Sequence, residues 1–371
     1  MKSLLILYPH FYPSFKGGGP VQSLTNLVEL LHNECKISVV CSAYDLGEST
    51  ILEGIKPDEW NSYLDSVDVF YATSNGYSAV RSALEHFKPD IIYLNGMFSP
   101  SYNWLPLVLV NKSKQQVIIS PRGMLQGGAL ALKPLKKKIF LTLFKLLGLH
   151  KNISWHATDL QEEMDIRIVF GANARVTVAP NIPKKPLQPK PRKKQGAQLR
   201  LVFLSLITEK KNVHVVLEAL KLVKLPITFH IFGPVKDHRY WERCKALMQD
   251  QIHAIEYLGS VNPNEVQNQI SKYDAFILPT KGENFGHAIY ESLSVGTPVI
   301  ISKHTPWKVA EKRAGFVVES EAPEKWAWAI ERFYTLDENE YSALSAGAHA
   351  LAKKYFEENN FMSQYRRLFQ L

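Results

Sequence analysis

The amino-acid sequence predicts an α/β protein with two domains, each built on a doubly wound parallel β-sheet. Short apolar runs alternate with helical stretches along most of the 371 residues, which is the pattern of parallel strands joined by helices. The alternation stops between residues 181 and 200, where prolines and basic residues are concentrated. It resumes at Leu201, so we expect a second domain of the same class after a semi-rigid linker.

The first domain, predicted over residues 1–180, begins with a strand at 4–8, a loop that ends in Gly17-Gly18-Gly19, and a helix that starts at Pro20. Glycines before a helix let backbone N–H groups approach a phosphate, although a flexible turn explains a triple glycine equally well. Further strands are predicted at residues 37–41, 68–71, 91–94, 117–120 and 154–158. Asp159 is expected to begin the helix that follows the last of them.

The second domain, predicted over residues 201–354, contains apolar runs typical of buried strands. They lie at residues 201–204, 229–232, 255–258, 275–278 and 299–301. A helix is predicted from His287 to Val295, because Gly296 suits a left-handed helix end and Pro298 prevents the helix from continuing. This helix follows the strand at 275–278, so its N-terminus should lie at the ligand-binding edge of the sheet.

Two carboxylates bracket the start of this helix, Glu283 in the loop and Glu291 inside the helix, with seven residues between them. The positive end of a helix dipole favours an anion such as phosphate. Carboxylates beside a phosphate would repel it, so we interpret them as acceptors for the hydroxyls of a sugar or a ribose. The spacing therefore predicts a nucleotide-sugar site.

The composition is that of a globular protein, with 46% hydrophobic and 21% charged residues. Three cysteines at unrelated spacings predict neither a disulfide framework nor a metal site, and so favour a reducing, cytoplasmic compartment. The apolar run at residues 3–7 is short for a signal peptide, and no run approaches the roughly 18 residues needed to span a bilayer.

The net charge of +9 is concentrated in residues 133–151 and 184–200, neither of which contains an acidic residue. In 133–151 the lysines are mixed with large apolar side chains. This mixture is compatible with contact to an anionic membrane surface, or with an ordinary helix that packs on the sheet and turns its lysines to water. The stretch 184–200 lacks aromatic residues, so no nucleic-acid partner is expected.

These features together resemble glycosyltransferase family 4, retaining enzymes of the GT-B fold. The resemblance rests on Glu283-Asn284-Phe285-Gly286 with Glu291, followed by Gly296-Thr297-Pro298. It extends over nearly the whole chain and includes Gly18-Gly19, Ala179-Pro180-Asn181, Lys210-Lys211-Asn212, Phe232-Gly233-Pro234, Tyr257-Leu258-Gly259 and residues 274–279. It implies two Rossmann-like domains that face each other across a cleft, with a C-terminal helix over 355–371 that crosses back to the first domain.

The resemblance also implies roles for single residues. Glu291 would bind the ribose hydroxyls, Glu283 would contact the transferred sugar, and Lys211 would bind the diphosphate; Glu283 and Lys211 are the implied catalytic pair. The other implied donor contacts are the backbone of Asn284, Phe285, Gly286 and His287, Gly18 and Gly19 of the first domain, and Ser260 and Val261 beside the base. Neither a metal nor a cofactor is expected.

Two positions depart from the family pattern. Most members have an arginine five residues before the phosphate-binding lysine, where this chain has Leu206. Lys210 and Arg122 are the candidates to replace it, although a lysine does not reproduce the bidentate geometry of arginine. Many members also have a histidine after the strand at 91–94, where this chain has Asn95; His156 is interpreted as a partly buried structural residue.

The sequence therefore predicts a retaining glycosyltransferase that acts on a nucleotide-diphosphate sugar and a glycan or lipid-linked acceptor in surface polysaccharide biosynthesis. It would be cytoplasmic or peripheral on the inner face of the plasma membrane, which it would contact through 133–151. Two other classes stay open: a nucleotide-sugar epimerase or phosphorylase on the same fold, and a nonenzymatic partner subunit that binds a nucleotide sugar.

Overall fold

A computed structural model describes residues 1–110, 115–131, 134–187, 198–249 and 251–371. The chain divides into two compact units. The first unit comprises Met1–Ile182 together with Asn360–Leu371, and the second comprises Pro183–Asn359.

Within the described residues, the first unit contains an eight-stranded sheet. Its strands are β1 (Ser3–Leu7), β2 (Lys36–Ser42), β3 (Trp60–Leu64), β4 (Val67–Ala72), β5 (Ile91–Asn95), β6 (Gln116–Ser120), β7 (Ile153–Ala157) and β8 (Val176–Val178). They lie in the order β3-β4-β2-β1-β5-β6-β7-β8, and every neighbouring pair except β3 and β4 is parallel. The strand order reverses between β1 and β5, where ligands bind in sheets of this kind. The predicted strands are confirmed, whereas β3 and β8 were not predicted.

The helices of the first unit are α1 (Gly19–Leu31), α2 (Tyr77–Phe87), α3 (Leu105–Val110), α4 (Gly127–Leu130), α5 (Pro134–Leu146) and α6 (Leu160–Phe170), with a π-helix over Pro100–Trp104. Asp159 caps α6 as predicted, because its carboxylate accepts a hydrogen bond from the backbone N–H of Glu162 at 2.7 Å. The Glu162 side chain is itself buried and accepts from the Gly123 and Thr158 N–H groups at 2.6 and 2.8 Å. It therefore joins the ends of β6 and β7.

The described part of the second unit contains a six-stranded parallel sheet. Its strands are β9 (Leu199–Leu204), β10 (Ile227–Phe232), β11 (Ala254–Tyr257), β12 (Ala275–Leu278), β13 (Val299–Ser302) and β14 (Gly315–Val318), in the order β11-β10-β9-β12-β13-β14. Its helices are α7 (Val213–Leu222), α8 (His238–Gln249), α9 (Val266–Ile270), α10 (His287–Ser294), α11 (Pro323–Tyr334) and α12 (Glu338–Glu358). Strands β12 and β13 are buried along their whole length, as expected for central strands covered on both faces.

The C-terminus differs from the prediction of one helix over 355–371. Helix α12 ends at Glu358, and α13 (Phe361–Phe369) begins after Asn360, whose side chain accepts from the Ser363 N–H at 3.0 Å. The prediction missed this break because two asparagines interrupt the helical pattern only briefly, yet asparagine is a preferred N-cap. Helix α13 belongs to the first unit, where Tyr365 donates to the Pro180 carbonyl at 3.0 Å. Residues 355–359 belong to the second unit.

The first unit ends at Ile182, within the predicted linker 181–200. Helix α1 holds this end, since Ser23 donates to the Asn181 side chain at 3.0 Å and Asn26 donates to the Ile182 carbonyl at 2.7 Å. Strand β9 begins at Leu199, two residues earlier than expected. Residues 188–197, which include most of the basic cluster of the linker, lie outside the described residues, as does Lys133.

The three cysteines, Cys35, Cys41 and Cys244, are buried free thiols. Across the ranges that the structure describes, no helix combines the length and apolar character needed to cross a membrane.

Candidate functional site

The predicted helix start in the second unit is confirmed at His287. Gly286 precedes it with a φ of 78°, and a Cβ atom at this position would lie 2.9 Å from the Ile289 side chain. The backbone therefore requires glycine there. At the other end of α10, Gly296 has a φ of 71°, as the sequence predicts.

The loop that joins β12 to α10 is fixed by hydrogen bonds from both neighbouring strand ends. The Lys281 N–H donates to the Lys210 carbonyl at 2.8 Å, and the Glu283 N–H donates to the His304 carbonyl at 2.9 Å. The Ser302 hydroxyl donates to the Thr280 carbonyl at 2.5 Å. The position of Glu283 is thus set by backbone contacts before any ligand binds.

The two predicted catalytic residues lie in direct contact. The Lys211 ammonium, in the turn before α7, donates a hydrogen bond to the Glu283 carboxylate. Their side chains are 17% and 10% exposed. Lys210 is next to this pair, and partial desolvation together with the positive charge of Lys211 lowers the pKa of Lys210. The site therefore contains two adjacent lysines, Lys210 and Lys211, and the Glu283 carboxylate in the loop that leads into α10.

Glu291 lies one turn inside α10, and its side chain is buried. Burial raises the pKa of Glu291 to about 8, and the positive charge of Lys184 opposes this rise. A carboxyl group with such a pKa holds its proton at neutral pH until a ligand or a cation favours the ionised form.

An aromatic cluster behind the loop was not predicted. Trp307 donates its indole N–H to the Phe285 carbonyl at 2.6 Å. The Phe285 ring lies 5.3 Å from the ring of Trp307 and 5.4 Å from that of Tyr355, with Tyr290 at 5.8 Å. Trp307 follows β13, the strand next to β12 in the same sheet. This position was the sequence signal that could have placed Trp307 near the loop.

Ser260 and Val261 lie in the loop after β11, where Ser260 is exposed and Val261 is half-buried. This loop is tied to the end of β10, because the Gly233 N–H donates to the Gly259 carbonyl at 2.8 Å. A Cβ atom at Gly233 would lie 1.9 Å from the Ser205 carbonyl oxygen, so the backbones after β9 and β10 approach more closely than any other residue allows. The loops after β9, β10 and β11 therefore form one connected edge.

The remaining predicted residues lie in the first unit. Gly18 precedes α1 with a φ of 72°, and Gly19 is the first residue of that helix. Arg122 also has a left-handed backbone, with a φ of 55°. Its guanidinium donates to the Asn95 side chain at 2.9 and 3.0 Å and to Asn181 at 2.6 Å. These bonds occupy most of the N–H donors of Arg122 within the first unit. Of the two candidates to replace the missing arginine, Lys210 is the one that adjoins Lys211.

His156 is structural, as interpreted from the sequence, and it is fully rather than partly buried. Its Nε2 lies 2.7 Å from the Ala179 carbonyl, which can only accept, so the proton is on Nε2. Nδ1 then accepts from the Tyr93 hydroxyl at 2.7 Å. Burial lowers the pKa of His156 to about 3, and the charge of Arg122 acts in the same direction. This histidine is neutral at any physiological pH.

No group of three or more histidine, cysteine, aspartate or glutamate side chains in the described ranges is arranged to hold a metal ion.

Comparison with known sequences finds a family model that matches part of the chain. The sequence model of glycosyl transferases group 1 matches residues 184–349, which cover the loop, α10 and the Lys211 turn. A candidate colanic acid biosynthesis glycosyltransferase of Escherichia coli, WcaL, is 24% identical over 196 residues, or 49% of this chain and 47% of WcaL. The chain thus spans about half the length of the curated relatives that it matches. The predicted resemblance to glycosyltransferases is confirmed for this part of the chain.

Solved structures extend the likeness to the whole chain. A sucrose-phosphate synthase from Thermosynechococcus elongatus has a TM-score of 0.77 at 15% identity, covering 100% of this chain and 98% of that one. The Anabaena protein HepE, solved in complex with UDP and glucose, has a TM-score of 0.76 at 15% identity and covers 100% of both chains. The predicted GT-B fold is confirmed.

Proposed function

We propose that this protein is a retaining glycosyltransferase of family 4 that transfers a sugar from a nucleotide-diphosphate sugar to a hydroxyl of a glycan or lipid-linked saccharide. The observation on which the proposal depends is the contact between Lys211 and Glu283 beside the start of α10, with Glu291 one turn inside that helix. The group 1 match over residues 184–349 and the nucleotide bound to HepE support it. The colanic acid relative supports a role in surface polysaccharide biosynthesis.

In this proposal each group binds a different part of the donor. The Glu291 carboxylate accepts hydrogen bonds from the ribose hydroxyls, and the N-terminal N–H groups of α10 face the diphosphate. Lys211 moves from Glu283 to the diphosphate, which frees the Glu283 oxygens for the hydroxyls of the sugar. The backbone of Asn284 to His287 completes the sugar subsite.

The reaction breaks the bond between the sugar C1 and the phosphate oxygen, and forms a bond from C1 to the acceptor oxygen on the same face. Negative charge develops on the diphosphate, where Lys211 and the start of α10 stabilise it. Positive charge develops on the sugar ring beside the Glu283 carboxylate. The acceptor proton passes to the departing phosphate, so neither a metal nor a cofactor is required.

Five further residues belong to the same proposal. Gly18 and Gly19 present backbone without a side chain at the start of α1, where N–H groups can approach a phosphate. Ser260 and Val261 lie on the connected edge after β11 and are the proposed neighbours of the base. Lys210 is the proposed substitute for the arginine that Leu206 replaces, because it adjoins Lys211.

A thermal-shift panel of UDP, GDP and ADP sugars tests the donor assignment. A true donor binds the folded state and must raise the melting temperature. Transfer to saccharide acceptors then tests the reaction, with product anomers assigned by NMR to establish retention. No shift with any nucleotide sugar would refute the proposal. Conversion of the donor without an acceptor would indicate an epimerase, phosphate-dependent release of sugar phosphate a phosphorylase, and binding without transfer a partner subunit.

Helix α5 supports a second part of the proposal, contact with an anionic membrane. It exposes a row of large apolar side chains, namely Leu135 (69%), Ile139 (52%), Leu143 (46%) and Leu146 (77%), with Leu147 (55%) just beyond the helix. Phe144, on the opposite side of the helix, is fully buried. The helix is therefore apolar both toward the unit and toward solvent.

Lysines flank the exposed row of α5. Lys136, Lys138 and Lys145 are all exposed. An ordinary surface helix with its lysines in water does not explain why the apolar row is exposed. Insertion of the row among lipid chains, with the lysines at the headgroups, does explain it. We therefore propose a peripheral location on the inner face of the plasma membrane, where a lipid-linked acceptor is available.

A further inference from the structure

We infer that Lys184 is a positioning residue for the nucleoside of the donor: it holds the loop that borders the base, and its charge acts on the carboxylate that binds the ribose. No motif of the sequence indicates such a role, because Lys184 lies among the basic residues that follow the first unit. The inference rests on the proposed function, since it needs Glu291 to be the ribose acceptor.

The first part of the inference depends on contacts of the Lys184 ammonium within the second unit. Its Nζ donates to the Pro263 carbonyl at 2.8 Å and to the Asn264 side chain at 3.2 Å. Both acceptors belong to the loop after β11, a few residues beyond Ser260 and Val261. Lys184 therefore restrains the loop that is proposed to contact the base, and it does so from the second residue of the unit.

The second part depends on the surroundings of Glu291. Of the elements that pack against α10, the short helix α9 and the strands β12 and β13 contain no ionisable residue. The long helix α12 buries Tyr341, Ser345, Ala348 and Ala352, none of which is a cation. Its half-buried His349 lies 2.9 Å from the Leu187 carbonyl, and its Tyr355 contacts the ring of Tyr290. Tyr290, on α10 itself, has a pKa raised by burial, by Tyr355 and by Glu291.

Among the described residues, Lys184 is thus the cation whose charge acts on Glu291. Burial raises the pKa of this carboxyl to about 8, and the Lys184 charge is what lowers it. An ionised carboxylate accepts a hydrogen bond from each of two neighbouring ribose hydroxyls, whereas the protonated acid has one oxygen occupied by its own hydrogen. Without the Lys184 charge, the Glu291 carboxyl ionises only at a higher pH. Nucleotide binding should then also require a higher pH.

The test is the pH dependence of nucleotide binding. UDP, GDP and ADP are titrated by calorimetry into the wild-type protein, Lys184→Met and Lys184→Arg between pH 6 and 9. For the nucleotide that binds, Lys184→Met should weaken affinity by up to about tenfold at pH 7, because loss of the Lys184 charge raises the pKa of Glu291 and lowers the ionised fraction of its carboxylate. The difference should narrow toward pH 9, and Lys184→Arg should restore the wild-type profile.

Lys185→Met is the matched control. Lys185 is the exposed neighbour of Lys184, so its replacement removes the same charge from the same segment while the loop contacts are kept. This variant should follow the wild-type profile at every pH. Circular dichroism establishes that each variant is folded; if Lys184→Met is not, Lys184→Gln against Lys184→Arg makes the same comparison.

The outcomes separate this inference from the proposed function. A wild-type protein that binds none of the three nucleotides overturns the proposed function, and the role of Lys184 with it. Wild-type binding with an unshifted profile in Lys184→Met overturns the inference alone. Equal weakening at all pH values would mean that Lys184 only restrains the loop, and would overturn its effect on the charge of Glu291.

Discussion

The Lys211 ammonium donates a hydrogen bond to the Glu283 carboxylate in a pair largely shielded from water. An ion pair of this kind separates only if each partner gains a replacement, because an unpaired charge in a partly buried site is costly. The diphosphate of a donor is the natural replacement for Lys211, and the sugar hydroxyls are the replacement for Glu283. Donor binding and catalysis therefore depend on the same exchange of partners.

Replacement of Glu283 by glutamine should separate these two effects. The variant frees Lys211 from its ion partner, so affinity for a nucleoside diphosphate without a sugar should rise about threefold to tenfold. Transfer should fall at least about 100-fold, because the carboxylate that faces the developing charge of the sugar is lost. Calorimetry with UDP, GDP and ADP, and initial rates of sugar transfer, measure the two quantities.

Two variants control this experiment. Lys211→Met should weaken nucleoside-diphosphate binding, the opposite direction to Glu283→Gln. Glu209→Gln alters an exposed carboxylate near the same turn, 3.7 Å from Lys281, and should change neither quantity. Weaker diphosphate binding in Glu283→Gln would show that the carboxylate does not compete for Lys211.

Replacement of Glu291 by glutamine should change how stability depends on pH. The pKa of Glu291 is about 8 in the folded protein, against an ordinary value of 4.5. Between these values the unfolded chain releases a proton that the folded protein keeps, so wild-type stability falls as pH rises. Relative to Glu291→Gln, the free energy of unfolding should fall by up to about 1.4 kcal/mol per pH unit from pH 5 to 8.

Urea unfolding at pH 5, 6, 7, 8 and 9 measures this difference, which should level off above pH 8. Glu319→Gln is the control, because Glu319 is 74% exposed and its replacement should leave the slope unchanged. A constant difference between wild type and Glu291→Gln at all five pH values would contradict the raised pKa.

Local patterns were sufficient to predict α10 from the sequence. Gly286 and Gly296 adopt positive φ values that few other residues tolerate, and the strands on either side are continuous apolar runs, so each boundary is encoded within a few residues. The contact of Lys211 with Glu283 is different in kind. It joins positions 72 residues apart, and only the resemblance to a family brought them together before the structure did.

The features that the sequence did not predict have a weak or distant signal. The break between α12 and α13 depends on the cap that Asn360 provides, a single side chain in a stretch of otherwise helical residues. Trp307 supports the loop through its contact with the Phe285 carbonyl, and nothing in the local sequence around residue 307 specifies that partner. Long-range contacts of this kind can be identified only from the fold, which brings the ends of neighbouring strands together.

Introduction of the missing arginine should strengthen donor binding. Leu206 is half-buried in the loop after β9, five residues before Lys211. A guanidinium there would add a charge-assisted hydrogen bond to the diphosphate, so Leu206→Arg should raise nucleoside-diphosphate affinity about tenfold. Leu206→Gln, which adds polarity without charge, should not. Calorimetry at low and high salt measures the gain, and an equal gain for the nucleoside without phosphates would contradict the assignment of this loop to the diphosphate.

Replacement of Trp307 by phenylalanine should loosen the donor loop. The variant keeps an aromatic ring in the cluster but removes the 2.6 Å hydrogen bond to the Phe285 carbonyl. Loss of a buried hydrogen bond should lower the free energy of unfolding by about 1–3 kcal/mol and weaken nucleotide-sugar binding. Trp328→Phe is the control, because Trp328 is 65% exposed. Urea unfolding and calorimetry measure both effects, and a loss of stability with unchanged donor affinity would mean that Trp307 supports the core but not the site.

Removal of the apolar row of α5 should abolish membrane binding. We expect the triple variant Ile139→Gln, Leu143→Gln, Leu146→Gln to lose at least tenfold in partition to vesicles containing phosphatidylglycerol, because each large side chain transferred to lipid contributes about 1.5–3 kcal/mol. Wild-type binding should weaken with salt and on neutral vesicles, since the flanking lysines act through charge. Co-sedimentation with vesicles measures the partition.

Helix α6 provides the matched control for the α5 variant. It exposes a row at a similar helical spacing, Leu160 (68%), Met164 (50%) and Ile168 (80%), but it has no lysine, and its three carboxylates outnumber its one cation, Arg167. A triple glutamine variant of this row should keep wild-type partition, because carboxylates are repelled by an anionic surface. Unchanged partition in the α5 variant would refute the proposed membrane contact. Weaker partition in the α6 variant alone would show that α6, not α5, contacts the membrane.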